Sequence, residues 1–355
     1  MDFNLNKEQE MFQQSLRKLL ENTEAAKNSY SKDLWKSLAD LGVLSLGIPE
    51  ELGGFGLDYE LIQIAGLELG KSLTHSPFYE TVVMAGSVLA SQETSTWKKE
   101  VEEIISGQKI ISFIDTDNHI IADKENHENW NLHGTAKVIS FGAEADSFIC
   151  SASGTLFYIP KEKVNTVPLD FIDNRPVARV NLENIVIPDH FRLCDVGRSE
   201  EVLQKPRAVG RLFNASYMTG AAQSSLDLAI DYMNTREQFG KPISSFQALS
   251  HWAADLQTMC DAALLFTRQL GWELTNGHTL ESSILCLKYS TKVYKNCATA
   301  SVQMAGGYGF MMEYDMQHFY RNALAIEQIN DCPQTTSIDL RRNHLQELEL
   351  SGASI

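Results

Sequence analysis

The chain has 355 residues, with 30 Lys plus Arg against 46 Asp plus Glu and a formal net charge of −16. Its 43% apolar content, with only 22 Gly and 9 Pro, fits a globular chain and excludes disordered, collagen-like and low-complexity classes. The acidic balance also excludes duplex nucleic acid as a main partner, because phosphate binding needs a basic face.

No stretch approaches the ~18–20 apolar residues of a membrane span, and the acidic start Met1–Glu8 resembles neither a signal nor a transit peptide. The six cysteines are scattered and contain no CxxC pair, which reads as reduced thiols. His119, His127 and His133 lack ligand spacing, so no metal site is expected. Together these features predict a cytoplasmic protein.

Residues 1 to 108 read as helices. Phe12, Leu16, Leu19 and Leu20 recur at helical spacing, as do Leu34, Leu38, Leu41 and Leu44, and residues 61–73 and 80–91 carry further periodicity. Between them, Gly47-Ile48-Pro49-Glu50-Glu51-Leu52-Gly53-Gly54-Phe55-Gly56 marks an irregular loop. From 109 to 200 the texture becomes short β-branched and aromatic runs. They lie at 110–114, 130–133, 136–140, 147–150, 155–160, 177–180 and 184–187, separated by turn residues. From 201 to 355 long helical segments return at 206–235, 245–276 and 280–306, rich in the small residues that let helices pack closely. The predicted class is α+β: an N-terminal helical domain (1–108), a central small β-sheet or barrel domain (109–200) and a C-terminal four-helix bundle (201–355).

Three segments in register carry more specific information. They are Gly47–Asp58, then Arg236-Glu237-Gln238-Phe239-Gly240-Lys241-Pro242-Ile243 with Phe246-Gln247, then Gln303-Met304-Ala305-Gly306-Gly307-Tyr308-Gly309-Phe310 with Arg321-Asn322-Ala323. Together they resemble the acyl-CoA dehydrogenase family, whose stretches read R-x-Q-F-G-K-P-I-x-x-F-Q, Q-x-x-G-G-x-G-F and R-D-A. The resemblance covers nearly the whole chain and implies the three-domain fold, FAD as cofactor and an acyl thioester substrate. It also implies that Arg236, Gln238, Phe239, Ile243, Gln247, Gln303, Gly306 and Gly307 approach an FAD shared between neighbouring subunits. The residue types suit that task. Arg236 offers a permanently charged planar fork to a pyrophosphate, and paired glycines let backbone approach a cofactor closely. Gly134–Gly142 matches the family's flavin-contacting strand, which puts Ser140 at the flavin-contacting hydroxyl and Val138 where many members have Trp.

The chain departs from the family in two places. The T-E-P-x-x-G-S-D loop of the middle domain is missing after Ser112–Asn118. The catalytic carboxylate is also missing. Family members remove the α-proton with a Glu placed within reach of it, either after R-D-A or on the first long C-terminal helix. Here those positions hold Asn330 and Gly210. Asp331 is the nearest remaining carboxylate and the candidate base. The leading expectation is flavin-dependent α,β-dehydrogenation of an acyl thioester carried on coenzyme A or an acyl-carrier protein, in a homodimer or homotetramer. One alternative is a base-lacking subunit that completes the FAD site of a heteromer with a Glu-bearing paralogue. Another is a flavin oxidase, monooxygenase or reductase on the same fold. The resemblance implies an electron-transfer flavoprotein as redox partner.

Overall fold

The computed structural model describes residues 3–22, 29–92, 96–115, 120–277 and 281–326. Helices α1 (Lys7–Glu21), α2 (Lys32–Asp40) and α3 (Tyr59–Lys71) open the chain. α1 starts on a reciprocal cap, in which the Asn6 side chain accepts from the Gln9 amide and the Gln9 side chain accepts from the Asn6 amide. This satisfies donors that a helix N-terminus otherwise leaves open. Arg17 then anchors α1 to α3, donating to both oxygens of the buried Glu68 at 3.0 and 2.9 Å.

The next apolar segment differs from an ordinary helix. Phe78–Gly86 runs as a π-helix before α4 (Ser87–Ala90) and α5 (Lys98–Ile105). All nine of its residues are buried, so no polar face is left for solvent. π-Geometry is rare and concentrates at functional sites. This one places Tyr79 and Glu80 in the molecular interior.

The central region forms two sheets. In the first, β1 (Ile111–Ile114) pairs parallel with β4 (Ser147–Ala152), which pairs antiparallel with β5 (Thr155–Pro160). The second is antiparallel with the order β2 (Ile121–Lys124), β3 (Asn129–Ser140), β7 (Val177–Pro188), β6 (Asn165–Leu169). Runs that look separate in sequence, 130–133 with 136–140 and 177–180 with 184–187, are single long strands here. β3 absorbs its irregularity as register shifts at Leu132/Gly134 and Ala136/Ile139. The second shift is an extra residue on β3, which breaks the in–out alternation so that Ile139 and Ser140 are both buried.

The C-terminal part comprises α6 (Ser199–Thr235), a hairpin of β8 (Glu237–Gln238) and β9 (Lys241–Pro242), α7 (Gln247–Thr275), α8 (Glu281–Ala305) and α9 (Met316–Ala325). α6 is the central pillar and packs most extensively on α8 and α3. Its approach to α3 depends on glycines. A Cβ built on Gly220 would lie 2.1 Å from the Leu67 carbonyl oxygen, and one on Gly70 would lie 1.9 Å from that of Tyr217. Backbone meets backbone there, so no side chain can yield. Gly220→Ala is therefore expected to cost about 2 kcal/mol or more through forced separation of α3 and α6. Chemical denaturation of both proteins measures it, and an unchanged midpoint would contradict the close crossing.

Candidate functional site

The residues singled out by sequence fall into two places. The first is a surface arm. α6 ends at Thr235, and the chain turns back through Phe239 (φ 55) and Gly240 (φ 78), the only residues between β8 and β9. Two successive positive-φ residues mark a type I′ hairpin. Gly adopts this conformation freely, whereas a bulky residue with φ > 0 is strained. The strained residue here is Phe239, and its ring is 92% exposed at the hairpin tip.

Arg236 lies with its guanidinium carbon 5.8 Å from the Tyr308 ring centre. That contact brings the second and third sequence motifs together, since Tyr308 belongs to the 3₁₀ turn Gly306–Phe310 that ends α8. Gln238 donates to the Glu237 carbonyl at 2.7 Å, Gln247 opens α7, and both are exposed, as are Gln303, Gly306 and Gly307. Ile243 is half-buried and packs on the core. Gly306 has φ 60, which favours glycine. Gly307 has no such backbone need, and a Cβ there would meet nothing within 4 Å. Nothing among the described residues requires glycine at 307, and the open space suits close approach by another molecule. Cation, exposed ring and open glycine backbone together fit the dinucleotide part of FAD.

The second place is the interior, where Ser140 is 1% exposed at the end of β3. Its carbonyl accepts from the Ser112 hydroxyl at 2.6 Å, and the chain then turns sharply at Phe141 (φ 55). Around it lies a buried polar cluster that sequence reasoning missed. The Asp173 carboxylate accepts from Arg175 Nε and Nη2 at 2.9 Å each and from Asn322 Nδ2 at 3.0 Å. His75 Nε2 stands 3.6 Å from the same oxygen. Tyr294 donates to Asn322 Oδ1 at 2.8 Å. Burial, the largest single effect, would raise the Asp173 pKa, but the Arg175 charge, its hydrogen bonds and His75 together outweigh it and hold the carboxyl below its usual range. Burial, reinforced by Arg175, takes His75 down to about 3. Burial pushes the Glu80 carboxyl up, with a smaller opposing pull from the neighbouring Ser140 hydroxyl. Two signals in the sequence pointed to this cluster. Asp173 and Arg175 are spaced for a local ion pair, and Asn322 replaces the acid of the family's R-D-A.

The family's helix position for a base is Gly210 on α6, and the Tyr79 ring covers it. A Cβ there would lie 2.6 Å from that ring. Asp331 lies outside the described residues, as does Asn330. Among the described residues no group of His, Cys, Asp and Glu is arranged to hold a metal, and no helix is long and apolar enough to cross a membrane.

Profiles of the acyl-CoA dehydrogenase N-terminal and C-terminal domains match residues 6–101 and 201–329. The chain belongs to the acyl-CoA dehydrogenase family. It is thus an FAD-dependent oxidoreductase of that class. It is similar to the caffeyl-CoA reductase–Etf complex subunit CarC of Acetobacterium woodii, at 26% identity over 82% of this chain and 84% of that protein. It is 25% identical to the glutaryl-CoA dehydrogenase of Desulfococcus multivorans over 91% and 92% of the two chains. In fold it resembles a chain of the ChsE4-ChsE5 complex of Mycobacterium tuberculosis, with a TM-score of 0.87 and 20% identity over 97% and 99% of the two chains.

Two outcomes follow from the Asp173 cluster. Asn322→Asp puts a second carboxylate against Asp173 and removes its amide donor. A loss of about 3 kcal/mol in urea denaturation at pH 7 is expected. Parent-like stability would show that Asn322 is not held against Asp173. His75 binds its proton near pH 6.5 when unfolded and only near 3 when folded. Unfolded chain therefore gains protons first as pH falls, and His75 costs stability progressively between those values. Melting temperatures of parent and His75→Gln across pH 4–7 should show the parent's advantage shrinking towards pH 4. A constant difference would contradict a neutral, buried His75.

Proposed function

We propose that this protein takes part in the α,β-dehydrogenation of an acyl thioester as the base-lacking subunit of a heteromer. In this reading it lends its surface arm to FAD held against a Glu-bearing paralogue. The supporting observation is the separation of the two groups of residues. Arg236, Phe239, Gly306 and Gly307 are on the surface, whereas Ser140 is sealed inside. One FAD bridging such an arm and a flavin wall needs the wall of another chain. The CarC relative is named for a complex with an electron-transfer flavoprotein, and the ChsE4-ChsE5 structure is of a two-protein complex. Both names accord with an assembly of unlike chains.

The chemistry divides accordingly. FAD, when bound, accepts the β-hydride. Arg236 neutralises pyrophosphate charge through charge-assisted hydrogen bonds, and the exposed Phe239 ring covers the adenosine part. The α-proton goes to a carboxylate, and on α6 of this chain Tyr79 covers Gly210, the position where some members carry it. Coenzyme A or an acyl-carrier protein bears the acyl group, and an electron-transfer flavoprotein takes the electrons. The oxidase and reductase alternatives need no carboxylate base, but no described residue favours either of them.

The test is the visible spectrum of the chain purified alone and of the chain co-purified with a Glu-bearing paralogue. The chain alone should be colourless and the pair yellow. Arg236→Ala in the pair should weaken FAD binding roughly 10- to 100-fold, the scale of a lost hydrogen bond to a charged group. A yellow chain alone that bleaches with an acyl thioester, and loses that reaction in Asp331→Ala, would instead establish a self-sufficient enzyme with Asp331 as base.

A further inference from the structure

The arm fits FAD, but the chain's own cleft does not. The cleft between the π-helix, β3 and α6 holds a cavity of about 40 Å³, lined by residues that include His75, Tyr79, Glu80, Arg175 and Tyr217. Pockets for drug-sized ligands run to about 300–1,000 Å³. A flavin ring and a thioester have no place in this one. Ser140 is 1% exposed and Glu80 3%.

We infer that His75, Glu80, Asp173, Arg175 and Asn322, with the Tyr79 ring, form a permanent polar plug that closes this subunit's own cleft to flavin and thioester. The inference rests on the subunit reading above. Three features make the plug a built element. First, it is held from three directions. His75 comes from the N-terminal helical region, Asp173 and Arg175 from the chain just before β7, and Asn322 from α9. Opening the cleft would break the Asn322–Asp173 hydrogen bond and leave a buried carboxylate short of a donor, which is strongly unfavourable. Second, Asn at 322 suits this role. An amide donates to Asp173, whereas the family's Asp at that position would repel it. Third, the cavity has polar work left for water only. Among the described residues, His75 Nδ1, Glu80 Oε2 and Tyr217 Oη at the cavity find no partner at hydrogen-bond geometry. A buried water needs two to four polar partners and roughly the space of one probe sphere. The cavity supplies both, and a flavin would need the plug removed.

The experiment counts flavin. The chain alone is titrated with FAD, following quenching of flavin fluorescence, and then with butyryl-CoA by thermal shift. The co-purified pair is denatured and its released FAD is measured per chain. The plug predicts no saturable FAD uptake by the chain alone, no shift with butyryl-CoA, and one FAD per two chains in the pair. One FAD per chain in either preparation overturns it, and so does a saturable butyryl-CoA shift of the chain alone. Arg236→Ala separates the two ideas, because Arg236 is on the surface and its loss leaves the plug intact. Loss of most FAD from the pair supports the arm. One FAD per two chains that survives Arg236→Ala overturns the arm reading and still supports the plug.

Discussion

The Asp173 carboxylate is the point through which the helical N-terminal part, the central sheets and the C-terminal helices are tied together. It is fully buried and gathers Arg175, Asn322 and His75 on one oxygen. A charge in that position is tolerable only when donors surround it, so it sets conditions on residues far away in sequence. His75 must stay neutral, Arg175 must stay charged, and position 322 must donate. Tyr294 extends the demand into α8 by fixing the orientation of the Asn322 amide. The π-helix, whose every residue is buried, then has to fit Glu80 beside this cluster, where burial pushes its carboxyl pKa up.

The two candidate regions have opposite physical characters. The interior is packed and internally paired, with backbone-to-backbone contact at Gly70 and Gly220. The arm is open and holds strain. Phe239 adopts a left-handed backbone conformation without burying its ring in this chain. Such strain at an exposed aromatic is favourable only if the ring gains contacts elsewhere, which accords with a ligand or neighbouring chain over the hairpin. An oligomer that takes its arm from one chain and its flavin wall from another uses each region for what it does well.

Much of this was legible in the amino-acid order. Small and apolar residues located α7 and α8 to within two residues and the end of α6, which begins seven residues earlier than its pattern suggested because the helix is buried on nearly all faces. Glycines and polar residues marked the strand ends. The Arg236–Ile243 and Gln303–Phe310 segments stood out because each is a short local motif. The long strands β3 and β7 were harder to read. Each appeared as two runs, because the register shifts near Gly134 and Ala136 interrupt the alternation that sequence pattern depends on. The Asp173 cluster was harder still. Asp173 and Asn322 are 149 positions apart, and no periodicity links residues that meet only after folding.

The sequence by itself determined the family, the succession of helical and stranded segments and the composition of the arm, because these depend on near neighbours and on turn chemistry. Only the tertiary structure decided that the arm stands on the surface while Ser140 is shut away behind Glu80 and Arg175. Burial is a property of the whole packed chain, and the cost of removing a charge from water depends on which distant groups are brought to meet it.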